Sequence, residues 1–206
     1  PPPPHPPQFF FIYTATSFTY SLSIHDALPI YFVFVYRDSL YVFGGTDNSS
    51  NMNEIVRYDL STQNSGEWTT IAKVNEANQR GGVAFVVEDK VYAGIGEMSN
   101  GIRTGFYVSS DSLTKWELIP SIPAQLGVIS SGVYDEQKKS FFMIDNEGKI
   151  WEYNLTTEQW TSRSLWIRMK NYHMFMLDGS IYTLGHRSEE HTSELQSHHD
   201  LVCRLL

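Results

Sequence analysis

Only one cysteine, Cys203, occurs in the 206 residues, so no disulfide can form within the chain. No run of about 18 apolar residues exists, and nothing reads as a membrane-spanning helix. The early stretch FFFIYTATSF lacks the basic start of a secretion signal. Positive charge is scarce as well. Fifteen Lys and Arg face 23 Asp and Glu, for a net charge of −8. A mildly acidic chain without a basic patch argues against nucleic acid as a partner. There is no P-loop, no HExxH, no CxxC, no Ser/His/Asp order and no paired-carboxylate motif, so no catalytic signature stands out. Residues 31–186 show no convincing apolar period of 3.6 over a dozen residues, which removes amphipathic helices from the reading of that segment.

The one dense cluster of metal-ligand types lies at the C-terminal end: His191, Glu194, His198, His199, Asp200 and Cys203. These are side chains that zinc and copper favour, but their spacing matches no metal motif. A different reading accounts for them better. Arg187–Leu206, RSEEHTSELQSHHDLVCRLL, resembles at every position the translation of an indexed adapter oligonucleotide used in short-read DNA sequencing. Ser21–Ile30, SLSIHDALPI, resembles the opposite adapter, with Ile24 in place of a leucine. Segments 1–30 and 187–206 are therefore expected to be non-native and disordered, and are set aside before reasoning about fold. No metal and no cofactor is expected. Residues 31–186 keep 13 Lys and Arg against 18 Asp and Glu, and only two histidines, His173 and His186.

Within that segment the pattern is strand after strand. YFVFVY (31–36), LYVFGG (40–45), EIVRYDL (54–60), GVAFVVE (82–88) and VYAGIG (91–96) are short runs of Val, Ile, Phe and Tyr. Polar turns such as Arg37-Asp38-Ser39, Glu88-Asp89-Lys90 and Asp178-Gly179-Ser180 separate them. Short apolar runs joined by two- or three-residue polar turns are β-hairpins, which predicts an all-β fold.

The hairpins recur. An aromatic residue marks equivalent places at Tyr41, Tyr92, Phe142 and Tyr182. Each of the first three units then carries a tyrosine and, farther on, a tryptophan: Tyr58 and Trp68, Tyr107 and Trp116, Tyr153 and Trp160. A period near fifty residues with about four strands per unit predicts a β-propeller array. The expected blades span about 31–74, 81–122 and 127–165, with a partial fourth at 171–186.

These residues resemble the kelch repeats, whose units combine a strand ending in Gly-Gly with a spaced Tyr and Trp. Gly44 and Gly45 fit that pattern closely, Gly94-Ile95-Gly96 fits it loosely, and the third unit has Ile144-Asp145-Asn146 there instead. The resemblance implies a kelch-type propeller fragment of about three blades, lacking its remaining blades. Glycine at a strand end permits positive φ and close backbone approach. The Tyr and Trp rings are read as structural wedges between twisted sheets. About three blades leave two sheet faces uncovered, so residues 31–186 alone are expected to be unstable or to associate.

Two functional readings stand. In the first, the propeller is a binding or scaffold module that recognises protein or carbohydrate through rim loops such as 46–53 and 97–105, rich in Asn, Ser and Gly. Its ligand candidates are Arg80, Glu97 and Arg103, at strand ends or loops, where an arginine can clamp a carboxylate. In the second, the chain is part of a sugar-directed enzyme. Kelch-like propellers include sialic-acid epimerases and copper oxidases of sugar alcohols. The copper class needs a Tyr–Cys cross-link, and 31–186 holds no cysteine. His173 and His186 read as ordinary strand or turn residues, with no third ligand near them in sequence. The repeat style resembles kelch proteins of bacterial cell envelopes, implying an extracytoplasmic location. Asn48-Ser-Ser and Asn154-Leu-Thr match the glycosylation sequon.

Overall fold

The computed structural model describes residues 32–46, 51–59, 68–101, 104–110, 112–120, 122–164, 170–186 and 200–204. The first sheet runs β1 (Phe32–Tyr36), β2 (Ser39–Phe43), β3 (Glu54–Asp59) and β4 (Trp68–Lys73). The second holds β5 (Val83–Val87), β6 (Lys90–Gly94), β7 (Phe106–Ser110) and β8 (Glu117–Leu118). The third holds β9 (Ile129–Asp135), β10 (Ser140–Asp145), β11 (Lys149–Asn154) and β12 (Gln159–Ser164). The fourth holds β13 (Lys170–Leu177), β14 (Ser180–His186) and β15 (Asp200–Arg204). Each is an antiparallel meander in which every strand pairs with its sequence neighbour. The only helical element described is one 3-10 turn, Asn75–Ala77.

Local sequence explains the hairpins. β1 and β2 alternate buried and half-buried residues with a period of two, so one face of the sheet is driven inward. Their connection is two residues long, and both Arg37 (φ 45°) and Asp38 (φ 56°) take the left-handed conformation. Such turns match the right-handed twist of the flanking strands. The first strands of successive sheets, β1, β5, β9 and β13, touch in order. The four sheets are thereby arranged as consecutive blades, each packed face to face on the next.

Three apolar layers fill the gaps. Phe32, Phe34, Tyr41 and Phe43 of blade one close on Val91 and Ala93 of blade two. Phe85, Tyr92 and Phe106 of blade two close on Phe141, Met143 and Tyr153 of blade three. Val133, Phe142 and Ile144 of blade three close on Met174 and Ile181 of blade four. Phe85 and Phe141 stack across the second gap, 4.4 Å between centroids with planes at 14°.

Blade three solves its turn without the glycine pair. Asp145 is 1% exposed and ends β10. Its Oδ1 accepts from the amides of Glu147 (3.0 Å) and Lys149 (2.9 Å), and its Oδ2 from the Trp151 indole N–H (2.9 Å). A carboxylate with three donors holds this turn together with Gly148, at φ 81°, in place of the adjacent glycine pair of blade one.

One segment differs from expectation. Asp200–Arg204, read from sequence as lying in a disordered end, pairs along β14 from Tyr182↔Arg204 to His186↔Asp200. The uncovered edge of β14 offers main-chain donors and acceptors, which pair with an extended segment whatever its side chains.

Candidate functional site

Three connections meet on one rim between blades one and two: the β2–β3 loop, the link 74–82 from β4 to β5, and the β6–β7 loop. Main-chain bonds tie them together. Gly45 N donates to Gln79 O (2.9 Å), and Val74 N to Asn53 O (2.8 Å). Arg80 and Glu97 exchange both amide bonds at 2.9 Å as an isolated antiparallel bridge. Gly44, at φ 64°, lies so close to the link that a Cβ there would run into the Ala77 carbonyl oxygen.

The centre of this junction is Gln79, whose side chain is fully buried. Its Oε1 accepts from Gly96 N (3.1 Å) and from the Thr104 hydroxyl, while its Nε2 donates to Glu76 O. The Asn51 side-chain amide reaches across from blade one to Glu97 O at 3.0 Å. A buried amide whose oxygen and nitrogen both have partners fixes the relative position of the loops it bridges.

Beside this lock, the 3-10 turn and the β6–β7 loop leave a cleft of about 270 Å³. Asn75, Glu76, Asn78, Met98, Thr104 and Tyr107 are among its lining residues. Two side-chain amides, a carboxylate and a phenol supply hydrogen bonds, and Met98 and the Tyr107 ring supply apolar surface. Among the described residues the lining holds no Lys or Arg.

Of the three sequence-derived candidates, Arg80 and Glu97 are brought together, with Arg80 Nη2 3.1 Å from Glu97 Oε2. The Arg80 guanidinium thus meets a carboxylate of its own chain. Arg103 lies outside the described residues. His173 is exposed on β13, and His186 ends β14. Of the C-terminal cluster, Asp200 and Cys203 lie in β15, while His191, Glu194, His198 and His199 lie outside the described residues. Among those described, no three His, Cys, Asp or Glu groups converge. Asn48 also lies outside them. Asn154 spends its side chain on the blade-three turn, donating to Lys138 O (3.1 Å) and Ser140 Oγ (3.0 Å) and accepting from the Thr156 and Thr157 amides.

The perturbed titratable groups sit on the opposite rim, between blades two and three. Burial, first, pushes the phenols of Tyr92, Tyr134 and Tyr153 upward. Nearby groups add to it: Tyr134 and Glu88 at Tyr92, Glu136 and Glu88 at Tyr134, Glu158 at Tyr153. They are packing tyrosines whose cause is desolvation.

Two of the three Tyr and Trp pairs, those of blades one and three, have a common geometry. Tyr58 and Trp68 lie 5.3 Å apart at 49°, and Tyr153 and Trp160 lie 4.8 Å apart at 41°. Trp160 in turn meets Phe106 of the preceding blade at 6.1 Å. Residues 33–75, which contain this pair in blade one, match the Kelch motif family. The fold is that of a β-propeller fragment whose first blade carries a Kelch motif. The array is also similar to the crystal structure of a structural genomics protein of unknown function from Bacteroides thetaiotaomicron VPI-5482. That likeness has a TM-score of 0.54 at 14% identity, covering 76% of this chain and 38% of the other, and is one of fold alone. The chain thus spans well under half the length of that protein. No curated protein matches the chain.

Sequence reading passed over the rim residues Asn75, Asn78 and Gln79, and named the loop of Thr104 (97–105) without singling that residue out. The signal for the first three was NEANQR, a run of amides and charges between apolar strands.

Proposed function

We propose that this kelch array is a binding module, and that the cleft between blades one and two holds a neutral carbohydrate. The observation that carries the reading is the lining: paired asparagine amides and one tyrosine ring, with no cation among the described residues. Asparagine can both donate to and accept from a sugar hydroxyl, and an aromatic ring covers the C–H face of a pyranose. About 270 Å³ lies just under the common range for small-molecule sites and fits one or two sugar rings. An anionic sugar would meet Glu76, and its charge would find Arg80 already paired to Glu97.

The test is an amide-resolved NMR titration of the full chain with a panel of neutral oligosaccharides. Shifts confined to residues 75–79 and 96–107, lost in Asn78→Ala, are expected. If only peptides give shifts there, the ligand class is wrong. If nothing binds at those loops, the site is wrong.

A further inference from the structure

The cleft between blades one and two carries more apolar surface than a plain sugar ring can use. Its polar part comes from the 3-10 turn. Asn75 and Asn78 stand one such turn apart, with Asn78 N donating to Asn75 O at 3.0 Å. Side chains three residues apart on a 3-10 turn project to the same side, and both of these line the cleft. Their amides bring donors and acceptors to one stretch of wall. The Thr104 hydroxyl adds little to them, because Gly96 N and Gln79 Oε1 engage it inside the lock.

The apolar part comes from blade two. Met98 and the ring of Tyr107 line the cleft there. Tyr107 pairs directly with Leu118 across β7 and β8, so the two side chains stand on one face of the blade. Gly105 makes room for them: a Cβ on it would lie 2.5 Å from Leu118 Cδ1 and 2.9 Å from the Tyr107 hydroxyl. Any side chain at 105 would displace that pair. Leu118 is 60% exposed, more than any other large apolar residue among those described. A single exposed leucine is ordinary. This one continues an apolar wall that Met98 and Tyr107 begin at the cleft.

A plain hexose offers a C–H face for the Tyr107 ring and hydroxyls for the amides. It has nothing to set against Met98 and Leu118. An acetamido substituent does. Its planar amide holds one N–H donor and one carbonyl acceptor, which asparagine side chains match, and it ends in a methyl group that suits a thioether and a leucine. The substituent is neutral, so the Glu76 carboxylate does not oppose it.

Building on the carbohydrate reading above, we infer that the cleft selects an N-acetylated hexosamine, with Asn75 and Asn78 on the acetamido amide and Met98 and Leu118 on its methyl. Gly105 is then a specificity residue, since it sets the place of Leu118 beside Tyr107.

Calorimetric titration of the full chain tests this with three trisaccharides of one backbone that differ only in the substituent beside the anomeric carbon: cellotriose, tri-N-acetylchitotriose and its deacetylated form. The acetylated trimer is expected to bind about tenfold tighter than cellotriose, or more, as one matched apolar group in a pocket provides. Met98→Ala and, at an exposed position, Leu118→Ser are each expected to bring that ratio toward one. Equal affinity of the acetylated and plain trimers overturns the inference and leaves the carbohydrate reading standing. A deacetylated trimer that binds best overturns it too, with Glu76 then selecting an ammonium group. A ratio unchanged in both variants overturns the assignment of the methyl to Met98 and Leu118. If none of the three binds, the carbohydrate reading itself fails, and this inference with it.

Discussion

The Trp116 indole meets the Phe43 ring edge-on, with centroids 4.8 Å apart and planes at 65°. One residue belongs to blade two and the other to blade one, and the indole N–H donates to Leu113 O at 3.0 Å. The ring is therefore a wedge between sheets with its one polar group satisfied. Trp68 holds the comparable place in blade one and is 53% exposed. Trp116→Ala is expected to cost about 3 kcal/mol or more. Trp68→Ala should cost under about 1 kcal/mol, because its removal opens no internal cavity. Urea denaturation reads both. Equal costs would remove the wedge argument.

At the rim, burial and exposure separate two neighbours in sequence. Gln79→Leu leaves the Glu76 carbonyl and the Thr104 hydroxyl short of their buried partner and is expected to cost about 1–3 kcal/mol. Arg80→Ala breaks a half-exposed ion pair with Glu97 and should cost less than about 1 kcal/mol. The same denaturation series distinguishes them, and a larger loss at Arg80 would reverse the assignment of which residue locks the loops.

Asp145 anchors the blade-three turn with a buried charge. Asp145→Ala orphans the Trp151 indole N–H and the amides of Glu147 and Lys149 together. A loss of about 3 kcal/mol is expected, from the stronger hydrogen bonds that a charged acceptor makes. Trp151 fluorescence should change with it, since the indole loses its carboxylate partner. A variant with unchanged stability and emission would mean the turn holds by its backbone alone.

The three tyrosines between blades two and three give the fold an alkaline limit. Burial, the leading cause, raises the folded values of Tyr92, Tyr134 and Tyr153 above that of an unfolded tyrosine. The unfolded chain therefore releases these protons first, near pH 10. Stability from this source is whole below about pH 10 and is lost as pH rises through the folded values. Urea midpoints should fall from about pH 10 upward and less steeply in Tyr134→Phe than in the unmodified chain. Parallel slopes in the two chains would show that other groups set the limit.

How much was readable in advance follows from range. The two-residue turn at Arg37-Asp38 and the alternation of FVFVY with SLYVF are local, and they specify a hairpin and the face it buries. The repeated Tyr and Trp told that units of one kind follow one another. Gln79 was not readable as a lock, because its partners Gly96 and Thr104 lie 17 and 25 residues away on another blade. Arg80 was readable as a rim residue but not as an ion pair, for the same reason. The pairing of Asp200–Arg204 on β14 was invisible too: main-chain hydrogen bonds to an open strand edge leave no mark in side-chain pattern.

The amino-acid order alone determines that this protein is built of short antiparallel strands in repeated four-strand units. Period-two burial and turn chemistry act between residues a few places apart, where the chain itself holds them together. The tertiary structure decided which loops share a rim and where a cleft opens between them. Those depend on how one sheet rotates against the next, which is set by the packing of rings such as Trp116 on Phe43.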